Sequence, residues 1–380
     1  MRQALKSKGF IVNILLLLGS FIFSICMVEG GLRYFTVFPI HGQGNLQYHR
    51  LLGYTLSSRL SDVDSEGFRN PSGVSKRIVA IGDSHTYSYH VTYKDSWPAK
   101  LSSKIQKPVY NFGVGGYSVL HYGVLLANLP SDVREIILGL YVANDFDYFK
   151  KGDECITPVG KESIKQEFGV TVPTCEYEYK KFQKGIRTRL KENTAIVSAI
   201  YYLIERYQGK EILKKQDEYQ DDIINIDGEP IIKIDGVPVG LKREIYRHNS
   251  ITDRTNPEVA DRVDYFVALV KRFKELHPDI TLKILMIPSK EVVLHSAELK
   301  CPRSTPSGVV LNESNLKNYL MRTLSAAGIQ IEDALAFTLE KYCHSSNEGR
   351  DGFYPVLDGH PFAEGYEAYA QAAYVLYNRP

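Results

Sequence analysis

Four short segments of the 380-residue chain carry side chains that could do chemistry together. The first is Gly82-Asp83-Ser84, where a Ser on a tight turn at a helix start presents its hydroxyl, and its own N–H can face a developing oxyanion. The second is Asn111-Phe112-Gly113-Val114-Gly115-Gly116, whose glycines let the backbone approach a substrate and offer an N–H. The third is Asn144-Asp145, where a side-chain amide can donate to an oxyanion as a carboxylate cannot. The fourth is Asp358-Gly359-His360-Pro361. A His can take the proton of a Ser hydroxyl, and a nearby carboxylate fixes its tautomer and steadies the imidazolium. Taken singly, each segment also reads as an ordinary turn or helix cap.

The elements around them decide whether they can meet. Arg77 to Ile81 is a short apolar run entering Gly82, as expected of a buried parallel strand. Val109 to Phe112, Ile136 to Ala143, Leu282 to Ile287 and Ile329 to Ile331 read as four more strands. Between them, Asp95-Ser96-Trp97-Pro98 reads as a helix start, and Leu120 to Leu129 as a helix. Pro361 is expected to open the last helix, with Tyr366, Tyr369, Ala373 and Leu376 on it. Strands alternating with helices predict an α/β fold with a mainly parallel sheet and right-handed crossovers. Sites in such folds lie at the carboxyl ends of the strands, where all four segments fall. Residues 150–256 interrupt the alternation as an insertion. It holds an expected amphipathic helix, Thr194 to Tyr207, and two Asp-Gly turns, Asp227-Gly228 and Asp235-Gly236, that suggest a small hairpin.

Net charge is +2, but residues 1–33 alone carry +3, which leaves −1 for the rest. A near-neutral body excludes the basic face that nucleic acid requires. The positive charge precedes an uncharged stretch, Phe10 to Val28, close to the ~20 residues that span a bilayer. With Arg2, Lys6 and Lys8 before it, this predicts a membrane anchor at 10–28, a cytoplasmic tail at 1–9, a neck at 30–75 and an exported body at 76–380. A cleaved signal peptide is the alternative, although no Ala-x-Ala site follows. Beyond Cys26, four cysteines remain, and export permits two disulfides. Local pairing of Cys155 with Cys175 and of Cys301 with Cys343 is the simplest arrangement. Free buried thiols are the alternative.

The order of the four segments resembles the SGNH/GDSL hydrolase family, defined by a Ser, a Gly, an Asn and a His in separate blocks, here Ser84, Gly116, Asn144 and His360. Ser65-Glu66-Gly67-Phe68-Arg69 and Asp95-Ser96-Trp97-Pro98 extend the resemblance, which covers roughly 65–150 and 275–380. It is to the membrane-anchored branch associated with bacterial surface polysaccharide modification. The resemblance implies a three-layer α/β/α, flavodoxin-like fold, with Ser84 as nucleophile and His360 as base and then acid. It also implies Asp358 as the group orienting His360, and an oxyanion hole of Ser84 N–H, Gly116 N–H and the Asn144 side chain. The chain departs from the pattern in three places. Asp358 lies two residues before the His where many members have three, Val142 stands where many have Gly, and His85 follows the Ser in place of an apolar residue.

His85 and Lys290 are candidate substrate contacts. No metal site is expected, since His85 and His90 alone lack converging ligands, and no dinucleotide or P-loop spacing is present, so no cofactor is expected. The leading expectation is an exported serine esterase removing O-acyl groups, O-acetyl first among them, from a carbohydrate. The alternatives are an O-acyltransferase of surface polysaccharide using the same Ser, and a non-catalytic glycan-binding assembly subunit.

Overall fold

The computed structural model describes residues 2–35, 46–58, 60–148, 155–176, 194–197, 199–200, 223–226, 229–234, 237–241, 250–300, 311–344, 353–354 and 358–380. The side chains of 1–15, 33–35, 295 and 297–300 and of the strands between 223 and 241 lie outside this description. The chain divides into two compact units, one of residues 1–44 and 183–206, the other of 45–182 and 207–380.

In the first unit, helix α1 runs Arg2–Phe35. From Leu16 to Val28 its large apolar side chains are exposed, Leu17 at 70% and Phe21 at 64%. The Glu29 carboxylate accepts from Ala195 N at 2.7 Å and Ile196 N at 3.0 Å, closing the first turn of a second helical segment. Such a cap supplies acceptors to otherwise unpaired helix-start donors. Among the described residues, no helix is long and apolar enough to cross a membrane, and the expected span begins at residue 10, outside the described side chains.

The second unit is built on five strands: β3 (Ile78–Gly82), β4 (Tyr110–Asn111), β5 (Glu135–Tyr141), β9 (Thr281–Ile287) and β10 (Gln330–Asp333). Their order across the sheet is β4-β3-β5-β9-β10, and every pairing is parallel. This is a flavodoxin-like order, with its switch point between β3 and β5 beside the outermost β4. All five strands begin and end within two residues of the expected bounds. The third stops at Tyr141 and not Ala143, where Tyr141 N turns to a side-chain oxygen of Asp145 at 2.8 Å.

Side-chain alternation sends β5 into two cores, as a strand's period of two requires. Ile136, Leu138 and Leu140 pack with helices α4 (Val119–Ala127), α6 (Pro257–Leu276) and α8 (Leu311–Ala326). Ile137 and Tyr141 pack on the other face with α3 (Trp97–Ile105), α9 (Leu335–His344) and α10 (Ala363–Tyr377). The layering is α/β/α. Ser96 caps α3 through Ala99 N, with Pro98 in the first turn. The final helix begins at Ala363 after Phe362, two residues later than expected from Pro361.

Two boundaries differ from expectation. The segment 30–75 is a neck only in part, because from residue 45 it belongs to the same unit as the body. Strands β1 (Leu46–His49) and β2 (Gly53–Leu56) pair antiparallel, and Leu52, Tyr54, Leu56, Leu60 and Phe68 enter the larger core. Polar composition there concealed a strand, β2, that is buried along its whole length. The insertion also starts as core: α5 (Pro158–Phe168) buries Ile164 and Phe168, and a disulfide joins Cys155 to Cys175. Cys343 is also disulfide-bonded, whereas its expected partner Cys301 lies outside the described residues. Further on, three strands, β6 (Ile223–Ile226), β7 (Glu229–Ile234) and β8 (Val237–Leu241), form an antiparallel meander, with an Asp-Gly pair in each connection. The expected helix is described at 195–197 and 199–200, and its remainder lies outside the described residues.

Candidate active site

Strand β3 delivers its chain to the carboxyl edge of the sheet and turns at once into α2 (Ser84–Tyr87), a single turn of helix. Buried Asp83 caps it, accepting from His85 N at 2.9 Å on one oxygen and facing Ser84 Oγ at 3.1 Å with the other. The loop after β4 packs directly on this turn. Asn111 donates from Nδ2 to Thr86 O at 3.0 Å and accepts Gly113 N on Oδ1 at 2.7 Å. Gly113 is required by this approach, since a Cβ there would run into the backbone of Thr86 and Tyr87. Ser84 is thereby set on a turn fixed from three sides, and is 5% exposed.

His360 arrives on the loop before α10. Ser84 Oγ donates to His360 Nε2 at 2.7 Å. The opposite ring nitrogen, Nδ1, is bonded to Asp358 Oδ1. Since only a carboxylate faces Nδ1, that nitrogen carries the proton and Nε2 is the free base. The same Oδ1 accepts His360 N at 2.8 Å, the local turn that a two-residue spacing allows. Burial would lower the His360 pKa, but the charge and hydrogen bond of Asp358, with Asp83 beyond, hold it above its ordinary value of 6.5. Burial would raise the Asp358 carboxyl, but the charge and bonds of His360 and His90 hold it well below 3.8.

His85 does not meet a substrate-facing surface. It is 1% exposed, with its ring stacked on His360 at 4.5 Å and against Tyr141 at 3.9 Å. Burial first, and the nearby His360 second, push it well below its ordinary value, so it backs the His360 ring as a neutral plate. Lys290, at the start of α7 (Lys290–Lys300), is also buried, at 3% exposure. Burial lowers it to about 8 against the opposing charges of Glu291 and Asp358, and its amino group lies 6.0 Å from the Tyr354 ring.

The two expected oxyanion donors follow β4 and β5, the strands on either side of β3. Gly116 has φ of +82°, a left-handed conformation that suits glycine, and a Cβ there would meet Tyr54 Oη at 2.8 Å. Asn144 follows β5 on a turn held by Asp145, whose two oxygens accept Tyr122 Oη at 2.7 Å and Tyr141 N at 2.8 Å. The Asn144 Oδ1 has no hydrogen-bond partner among the described residues.

Two residues of the site were not singled out as parts of it by sequence reasoning. His90 Nε2 lies 2.9 Å from Asp358 Oδ2, so the carboxylate sits between two imidazoles. Buried Arg69 clamps the loop that carries His90, donating to Tyr87 O at 3.1 Å, Ser88 O at 2.9 Å and Val91 O at 2.7 Å, with Asp62 on its Nε at 2.7 Å. The signal for His90 was its closeness to Ser84 in sequence; nothing local linked it to a residue 268 positions away. His90, Asp358 and His360 each offer one ligand atom, all within 4.8 Å of one another, the described group that could hold a metal ion.

No protein-family model matches the sequence, and no curated protein matches it. Among solved structures, the chain is similar to a protein assigned to the G-D-S-L lipolytic family from Desulfitobacterium hafniense DCB-2, at 12% identity and a TM-score of 0.36, covering 80% of this chain and 99% of that one. It is also similar to an extracellular lipase from Streptomyces rimosus, at 12% identity and a TM-score of 0.37, with coverage of 80% and 99%. At this level of similarity, the functional reading rests on the chain's own residues.

Proposed function

We propose that this chain is a serine esterase of the SGNH/GDSL type, working through an acyl-serine intermediate. The observation that carries this reading is the 2.7 Å bond from Ser84 Oγ to His360 Nε2, with Asp358 on the opposite ring nitrogen. A hydroxyl, a base with its lone pair aimed at that hydroxyl, and an orienting carboxylate form the unit that turns Ser into a nucleophile.

Ser84 Oγ attacks the ester carbonyl carbon as His360 Nε2 takes its proton. The carbonyl oxygen gains the negative charge and is met by Ser84 N–H, Gly116 N–H and the Asn144 amide. Collapse expels the alcohol, which leaves with the proton from His360, and Ser84 remains acylated. Water then attacks with His360 again as base, the acid departs, and the Ser84 hydroxyl is restored. Asp358 keeps Nδ1 protonated and stabilises the imidazolium that forms in each half-reaction.

In this reading the body is extracytoplasmic, tethered by residues 10–28. The disulfide between Cys155 and Cys175 supports an oxidising compartment, and the basic residues before the uncharged stretch support the orientation. The substrate proposed is an O-acyl, most simply O-acetyl, carbohydrate ester. Its support is the resemblance to the polysaccharide-modifying branch.

The test treats the full chain with a fluorophosphonate probe and maps the labelled peptide, alongside Ser84→Ala and His360→Ala. Labelling at Ser84 that disappears in both variants is expected, as is acetate release from an acetylated glycan. Labelling without acetate release, but with acyl groups appearing on a second sugar, would make the enzyme a transferase. A folded chain with no label at Ser84 would overturn the reading.

A further inference from the structure

Resting on the serine-esterase reading, we propose that His90 is a positioning residue of this enzyme: its imidazole holds the outer oxygen of Asp358 so that the inner one stays on His360. The two-residue spacing explains the need. Both the backbone N–H and the ring Nδ1 of His360 converge on Oδ1 of Asp358, all within one short turn. That turn is not locked by regular structure, and the Asp358 side chain is 37% exposed. A carboxylate bonded through one oxygen is free to swing about its last torsion and to exchange its partner for water. The 2.9 Å contact of His90 Nε2 with Oδ2 fixes that torsion from the opposite side. The result is a chain of four bonded side chains, His90–Asp358–His360–Ser84, assembled from two loops and the first residue of α2.

The backbone at His90 supports a purpose for the side chain. Its φ is +63°, and that of Ser88 is +66°, a left-handed conformation where glycine is the strain-free choice. The loop is held in this shape by the Arg69 guanidinium on the carbonyls of Tyr87, Ser88 and Val91. The His90 ring packs 5.7 Å from Phe362, the residue that leads into α10. An imidazole thus stands where glycine would be unstrained and His is among the side chains that tolerate the left-handed region, and it is aimed at Asp358. The same three groups could ligate a metal, but hydrogen bonds already account for their contacts. A metal on His360 Nδ1 would also displace the proton that makes Nε2 the base.

The experiment measures ester turnover and fluorophosphonate labelling rate in the full chain, for wild type, His90→Gly, His90→Gln and each of these with Asp358→Ala. Gly relieves the backbone strain, so His90→Gly is expected to keep or raise Tm. Its kcat should fall roughly tenfold to a hundredfold, the worth of a hydrogen bond to a charged group, with KM within about twofold. His90→Gln, which restores an N–H donor, should regain most of the loss. In the Asp358→Ala background, His90→Gly should have no further effect. Unchanged kcat in His90→Gly, or an equal loss in both backgrounds, would overturn the inference while leaving the esterase reading intact. Wild-type activity lost to a chelator and restored by Zn²⁺ would overturn it in favour of a metal centre. A wild type unlabelled at Ser84 would overturn the esterase reading, and this inference with it.

Discussion

The two halves of the candidate site are held in different ways. Ser84 stands where a buried strand becomes a helix, with Asp83 capping the turn and Asn111 and Gly113 packed against it. Strand and helix set its backbone, and the Asp83 and Asn111 side chains bond to the main chain of that turn. His360 stands on a loop outside regular structure, and its ring is aimed by side chains: Asp358 at its edge, His85 on its face, His90 behind the carboxylate. The Ser84 turn has regular structure behind it as well as side-chain bonds. The aim of the His360 ring rests on side chains. The division suits the proposed mechanism, in which the imidazole gains and loses a charge in each of the two half-reactions.

Removing the nucleophile should have the largest effect. Ser84→Ala is expected to lower kcat about ten-thousand- to a million-fold with Tm little changed, checked by turnover and thermal unfolding. Loss of stability on the same scale would mean that the Ser84 turn, too, rests on side chains. Asp358→Asn comes next, with a loss of about a hundred- to ten-thousand-fold. It should also move the acid limb of the pH–rate profile. That limb reports neutral His360 and should lie above 6.5 in wild type, falling to lower pH once the carboxylate is gone. An unmoved limb would break the assignment of Asp358 to the histidine.

The stability of the His360 loop runs against its activity. The His360 contribution is complete below 6.5 and is lost as pH rises through the raised folded value. The Asp358 contribution is complete above 3.8 and is lost as pH falls through the depressed folded value. The pair therefore stabilises the fold fully between these limits, where His360 is protonated and cannot act as base. Thermal unfolding followed across pH, in wild type and Asp358→Asn, should show the difference shrinking above the activity limb.

Smaller effects sharpen the contrast. Arg69→Ala should destabilise by about 3 kcal/mol, because it leaves Asp62 and three carbonyls without their buried cation. It should cost activity about tenfold by freeing the loop that carries His90, and a Tm loss without an activity loss would separate Arg69 from the site. The smallest change is expected for His85→Phe, within about threefold in kcat. Its ring is neutral and serves by stacking, which Phe preserves. A large loss would give the His85 nitrogens a role of their own.

What the sequence made readable follows from range. The five strands were legible as apolar runs because parallel strands are buried on both faces, and Ser84 and His360 because short local patterns flank them. Asn144 was legible, but Asp145, whose carboxylate shapes its turn, was not, since a cap and a site residue look alike in one dimension. The β1–β2 hairpin was missed because its polar residues masked the buried Tyr54 and Leu56. His90 was missed because its partner is 268 residues distant and its left-handed backbone leaves no mark in the residue type.

The distance between the two halves has a consequence for biosynthesis. Ser84 and His360 are separated by 276 positions. At about 5–20 residues per second, a ribosome needs roughly a quarter of a minute to a minute to cover that interval. Throughout it, the nascent chain carries a nucleophile with no base. On the esterase reading, a premature stop anywhere in that interval yields a fragment that holds the Gly-Asp-Ser turn without His360, and it is expected to have no hydrolytic activity.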